Sequence, residues 1–144
     1  MMATIFNRGS IPVLEALMRY STVRHKAISN NVANVDTPGY KALDVREVDF
    51  EKALAQAFDR RRESPGGVFE MPSVGKLRQT ARGLEIPIVE AAPTAILRHI
   101  DNNVDLDLEM GRMVKNSSLH AVASTLLTHE FNLLRSSIQE RAVA

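Results

Sequence analysis

The chain has 144 residues and a mass of 16.0 kDa, room for a single domain of ordinary size. Eighteen Lys and Arg stand against seventeen Asp and Glu, a net charge of +1, which argues against a dedicated nucleic-acid surface. Cysteine is absent, excluding a disulfide scaffold, Cys-ligated zinc and thiol catalysis. Hydrophobic residues make up 44%, aromatics only 5%, so any core is built mainly from aliphatics and Met.

No run of 18 apolar residues occurs, so no segment is expected to cross a membrane as a helix. After Arg8 the apolar run Ile11-Pro12-Val13-Leu14 stops at Glu15, with no small-residue cleavage site, so a cleaved secretory leader is not expected. Proline and glycine then sort the chain into three parts: residues 1–40, an insert over 41–100, and 101–144. Between Pro12 and Pro38 there is neither, and after Pro93 only Gly111. Long regular elements belong at the two ends and turns belong between them.

The first helix is expected to begin at Ser10 as N-cap, with Pro12 in the first turn, and to run to about Asn34. Its seam reads Leu14, Leu17 or Met18, Ser21, His25, Ile28, Val32 and Val35. Asp36-Thr37-Pro38-Gly39 is an explicit stop: proline moves Thr37 away from helical angles, and Pro-Gly favours a tight turn.

In the insert, Asp49 is expected to cap a short helix through Phe50, Leu54, Ala57 and Phe58, closed by Arg60-Arg61-Arg62. Ser64-Pro65-Gly66-Gly67 reads as a loop. Leu84 through Val89 alternates as one strand, which Pro87 restricts to an edge.

The last helix is expected from Asp105 to Arg141, with Asp101 and Asn103 as candidate caps and acidic first turns. A seam of alternating threes and fours runs through Leu106, Met110, Met113, Ser117, His120, Ser124, Leu127, Phe131, Leu134 and Ile138. A second stripe, Leu119, Leu126 and Leu133, lies on another side. Two apolar faces are more than one partner helix covers, so the second is assigned to contacts between subunits, and the ends of a dilute lone chain are expected to be partly unstructured. Residues 1–35 carry +3 and residues 101–144 carry −2, consistent with the end helices pairing. The expected fold is mainly α: two long terminal helices in an antiparallel, coiled-coil-like hairpin, with an irregular insert containing one short helix.

Motifs for chemistry are incomplete. His129-Glu130 begins like a zinc-protease helix, but Leu133 stands where the second ligand belongs. His25, His99 and His120 show no ligand spacing. Asp101 to Asp105 resembles the start of a calcium loop, but Leu106 and Arg112 occupy its glycine and glutamate positions. Arg60-Arg61-Arg62 reads as a solvated helix end, and the Asn116-Ser117-Ser118 sequon falls inside a helix. No catalytic residue, metal ligand, cofactor site or small-molecule substrate is assigned, and an enzyme is not expected.

What is unusual is asparagine density at the first helix end, in Asn30-Asn31-Val32-Ala33-Asn34. Asparagine competes for the backbone and weakens a helix, so the run reads either as fraying toward the turn or, in the sharper reading, as amides that bond a partner surface. Asn30, Asn31, Ala33, Asn34, Thr37, Pro38, Gly39 and Tyr40 reproduce a signature that resembles the one shared by flagellar rod and hook axial proteins. The stretch Asp101 to Met110 and the Phe131 to Ile138 ending are similar to the short proximal-rod members in particular. The chain departs by Asn102, where the family commonly carries Gly, and by Leu108, where a charged residue is frequent.

The resemblance implies a structural subunit whose terminal helices pack with those of neighbours into a helical tube, the flagellar rod, joining the membrane ring to the distal rod and transmitting torque. It implies other rod proteins, the rod-to-membrane-ring adaptor and the flagellar type III export apparatus as partners, and a periplasmic place in the basal body. On that reading Asn30, Asn31, Asn34, Thr37, Pro38, Gly39 and Tyr40 form an assembly motif. Leu14, Leu17, Ile28, Val32, Met110, Met113, Leu127, Phe131, Leu134 and Ile138 form the pairing seam, and Leu119, Leu126 and Leu133 the inter-subunit face. The alternative from helix patterning alone is a soluble helical adaptor or secretion chaperone that grips a partner helix.

Overall fold

The computed structural model describes residues 9–63, 69–80, 83–91 and 101–141. In chain order its elements are α1 (Ile11–Ala33), β1 (Leu43–Val45), α2 (Glu47–Glu63), β2 (Arg78–Thr80), β3 (Gly83–Glu85), β4 (Ile88–Glu90) and α3 (Leu106–Arg141). The expected Ser64 to Gly67 loop and His99 lie outside the described residues.

The protein is mostly helical, with two small antiparallel strand pairs. β1 pairs with β4, Asp44 opposite Val89, and β2 pairs with β3, Gln79 opposite Leu84. The single strand expected over Leu84 to Val89 is therefore two. Pro87 has no N–H to continue a ladder, so the chain changes partner there: Gly83–Glu85 bonds to β2 and Ile88–Glu90 to β1.

α1 is sandwiched. Ala16 and Tyr20 face a core shared with Val45, Phe50, Ala53, Ala57, Phe69, Met71, Leu77 and Ile86. The Tyr20 ring stacks on Phe50 with centroids 4.3 Å apart, and its hydroxyl accepts a hydrogen bond from Arg24 Nη1 at 3.1 Å. Around the helix, Ser21 and Asn31 are also buried, and α3 is the element α1 packs against most extensively. Ser10 meets Glu130, Ser21 meets His120 and Asn116, and Asn34 meets Asn102, so contacts climb α1 as they descend α3.

Helix ends differ from expectation in their caps. Ser10 occupies the N-cap of α1 without a side-chain cap; its hydroxyl bonds the Glu130 carboxylate instead. α2 starts earlier than Asp49, because the Arg46 carbonyl already accepts from the N–H groups of Asp49 and Phe50. Asp49 is buried, pairs with Arg46 at 3.2 Å and accepts from the Lys76 N–H. It thereby caps the turn at Gly75, whose positive φ and contact with the Asp49 carboxylate leave no space for a Cβ. The cap of α3 is Asp105, whose Oδ1 accepts from the N–H groups of Asp107 and Leu108, rather than Asp101 or Asn103.

Burial pushes the Tyr20 phenol up to about 12, against a smaller opposing pull from Arg24. The folded state therefore holds a proton that the unfolded chain releases near pH 10, so stability falls as pH rises from about 10 towards 12. Tyr20→Phe, followed by urea unfolding across that window, should lose less stability with rising pH than wild type; parallel curves would contradict the assignment.

Candidate functional site

The asparagine signature closes on its own chain. Asn31 is wholly buried. Its Nδ2 donates to the Leu43 carbonyl at 2.7 Å, and its Oδ1 accepts from the Leu43 N–H at 2.7 Å and from the Tyr40 hydroxyl at 3.2 Å. The side chain thus meets β1 as a neighbouring strand would, through both backbone groups of one residue. Burial, and then the Glu109 charge, raise the Tyr40 phenol, which keeps its proton to donate.

Between them the chain makes its turn. Asn34 Nδ2 donates back to the Asn30 carbonyl at 2.8 Å, and the Thr37 hydroxyl donates to Asn34 Oδ1 at 3.2 Å. The Tyr40 N–H reaches the Thr37 carbonyl, and Gly39 at φ 72° supplies the left-handed residue a Pro-Gly turn needs. Asn31 and Asn34 therefore have intramolecular partners, a correction to the expectation that these amides wait for another surface. Asn30, Thr37, Pro38 and Gly39 are exposed.

The segment before α3 completes the closure; sequence reasoning noted it as candidate caps, a broken calcium loop and part of the family resemblance, and not as a partner of the α1 turn. Asn102 is wholly buried, and its Nδ2 lies 2.9, 3.0 and 2.9 Å from the carbonyls of Asn34, Val35 and Thr37. Its Oδ1 accepts from the Val104 N–H at 2.8 Å. Next to it, Asn103 Oδ1 accepts from the Ala42 N–H at 2.7 Å, and Lys41 Nζ reaches both the carbonyl and a carboxylate oxygen of Asp101. The residue with glycine-like backbone is Asp101, at φ 56°, and not Asn102. The signal that could have found this is two carboxamides flanking a loop that must bury its carbonyls.

A charged chain runs alongside. Glu109 on α3 accepts from Arg112 at 2.8 Å, and Arg112 lies 3.8 Å from Asp44 on β1. Asp44 lies 3.9 Å from Arg24 on α1, which donates to Glu47 on α2 at 3.2 Å. One string of side chains touches all three helices.

The pairing seam is rotated from the spacing-based one. On α3 the buried residues are Glu109, Asn116 and Ala123, flanked by half-buried Met113, Leu119, His120, Leu127 and Leu134. On α1, Leu14 and Ile28 are buried and Leu17 and Val32 half-buried. Met110 is exposed, because it stands about 100° round from Glu109. Phe131 and Ile138 keep exposed surface, lying past the level where Ser10 meets Glu130. The inter-subunit trio divides. Leu119 packs on the intramolecular core, whereas Leu126 and Leu133 are 48% and 52% exposed. Val122 and Leu108 lie on the same outward side and are exposed as well.

His25 and His120 line a groove of about 460 Å³ between α1 and α3, with Ser21, Lys26, Asn116 and Ser117. His25 is exposed and off the seam. His120 Nδ1 is 2.8 Å from the Ser21 hydroxyl, and the groove lining carries no carboxylate. Among the described residues no cluster of His, Asp or Glu could hold a metal ion. The sequon residue Asn116 is buried, with Nδ2 donated to the Ser21 carbonyl at 2.8 Å. Arg61 donates to the Gly9 carbonyl at 2.6 Å, so the arginine run is tied to the start of α1.

A family model described as flagella basal body rod protein matches residues 21–41, the stretch from mid-α1 through the Asn-rich turn. The chain is 27% identical over 134 residues to flagellar basal body rod protein FlgB of Bacillus subtilis, covering 88% of this chain and 91% of that one. It is 29% identical over 122 residues to FlgB of Salmonella typhimurium (81% and 83%) and 26% identical over 132 residues to FlgB of Borrelia hermsii (85% and 90%). The matches reach well beyond the signature.

Left-handed angles cost an ordinary residue about 1 kcal/mol that glycine avoids. Asp101→Gly should therefore raise the urea midpoint by about 0.5–1 kcal/mol of stability, even with the exposed Lys41 pair removed. An unchanged or lower midpoint would mean that the Lys41 contacts outweigh the backbone angle.

Proposed function

We infer that this chain, which belongs to the flagellar basal body rod protein family, is a structural subunit of the flagellar rod and not an enzyme. Its terminal helices, α1 and α3, act as one antiparallel helical hairpin that packs against neighbouring copies and other rod proteins in a helical tube. The described part of the insert, with α2 and the two strand pairs, braces that hairpin from one side. In the basal body the tube joins the membrane ring, through its adaptor, to the distal rod and carries torque across the periplasm. The subunit reaches that place through the flagellar type III export apparatus.

The observation that carries this reading is the outward side of α3. Leu108, Val122, Leu126 and Leu133 stay exposed along a helix about 54 Å long, although α1 and the core already occupy its inner side. Exposed apolar residues on one side, spread over about 38 Å from Leu108 to Leu133 with Lys115 among them, mark a contact surface. Burying one such leucine is worth about 1.5–3 kcal/mol, enough for a few per subunit to hold a polymer whose binding sites repeat. The exposed Thr37-Pro38-Gly39 turn lies at the other end of the hairpin and is available to a neighbour along the tube.

Leu126→Asp should leave the lone chain folded, because the side chain is half exposed, and leave its export intact. It should abolish incorporation into rods and swimming motility. Normal rods built from this variant would contradict the role of the outward stripe.

A further inference from the structure

We propose that Asn102, supplied from the far end of the chain, caps the turn that closes α1, and that it makes α1's end and α3's beginning order as a single unit. A helix leaves its last carbonyls without intrahelical partners, and nearby chain usually satisfies them. Here the Asn34 N–H turns back to the Asn30 and Asn31 carbonyls. The carbonyls that follow, of Asn34, Val35 and Thr37, converge on one carboxamide 65 to 68 residues away. Two amide protons serve three acceptors, so at least one bond is shared. The Asn34 and Thr37 carbonyls also accept from the Thr37 and Tyr40 N–H groups, so it is the Val35 carbonyl above all that waits for residues 101–104.

The dependence is mutual. Asn102 Oδ1 holds the Val104 N–H, and Val104 is buried one residue before Asp105, the cap of α3. Without the α1 turn beneath it, Asn102 has no acceptors and the lead-in to α3 loses its anchor. Asn103 adds a second strap, through the Ala42 N–H, whose own carbonyl accepts from Ala91 at 2.7 Å. Segments 31–43, 91 and 101–104 thus close in one polar knot around two wholly buried carboxamides, Asn31 and Asn102. Each is bonded through both its oxygen and its nitrogen, so neither half of the knot persists without the other. This device concerns the lone chain and does not depend on the rod reading, so its test is made on purified full-length protein.

The test is amide exchange in wild type, Asn102→Ala and Asn102→Asp, read over residues 35–43 and 104–112, with Phe50, Ala53 and Ala57 in the insert core as control. Asn102→Ala should speed exchange roughly tenfold or more in both windows by the same factor, with the control unchanged. Asn102→Asp should be worse than Ala, since it keeps the acceptor for Val104 but turns a carboxylate on three carbonyls. Asp equal to or milder than Ala, or a change in one window only, would overturn the proposal. If either variant loses the control protection too, wild type in rising urea decides. A common midpoint for the two windows supports the coupled cap, and separate midpoints refute it.

Discussion

Two carboxamides fix how this molecule is put together. Asn31 and Asn102 are both fully buried, and between them they satisfy the backbone of the loop that ends α1 and the strand that follows it. A buried amide bonded through both its oxygen and its nitrogen tolerates little displacement, because each lost bond leaves a dry polar atom behind. The end of α1 and the start of α3 are therefore held in one register. From that register follow the sides of each helix that are used, and so the side of α3 that is left bare.

The interface between α1 and α3 is unusually polar for a helix pair. Ser10 with Glu130, Ser21 with His120, and Asn116 with the Ser21 carbonyl mark its length, and Ile28 and Ala123 supply buried apolar surface. Polar groups at such positions specify alignment more than they add stability. The greasier residues of α3 are turned elsewhere. In a protein that folds alone this would be a liability for aggregation; on the proposed rod reading it is the surface by which one subunit would meet the next. The large stabilising core lies on the other flank of α1, where Tyr20 and Phe50 stack, and gives the hairpin a rigid back.

Helix extents were legible because their punctuation is local. The stop at Asp36 to Gly39 and the stretch from Asp105 to Arg141 follow from proline, glycine and unbroken patterning, and the structure places the long helices there. The rotation of α3 was not legible. Apolar residues occur on nearly all its sides, so several three-and-four ladders fit equally well, and the true inner line is Glu109, Asn116 and Ala123, only one of them apolar. Patterning by hydrophobicity could not choose a line built on an ion pair and an amide. The same blindness hid Asn102, since a side-chain cap spanning more than sixty residues has no local signature. Asp49 was visible as a cap, but of the wrong turn: its partner is the Lys76 N–H, 27 residues on. The asparagines were singled out correctly as amides that need partners, and the partners proved to be inside the chain.

The outward face of α3 is where fold and function meet, and the absence of native cysteine allows it to be probed with single thiols. Leu126→Cys, with Ala123→Cys as the buried reference, can be reacted with a maleimide in the dilute chain and in isolated basal bodies. The thiol at 126 should label rapidly in the free subunit and be shielded in the rod, while the thiol at 123 is slow in both. Equal, rapid labelling of position 126 in free and assembled protein would mean that this face meets nothing, and that the rod is held together some other way.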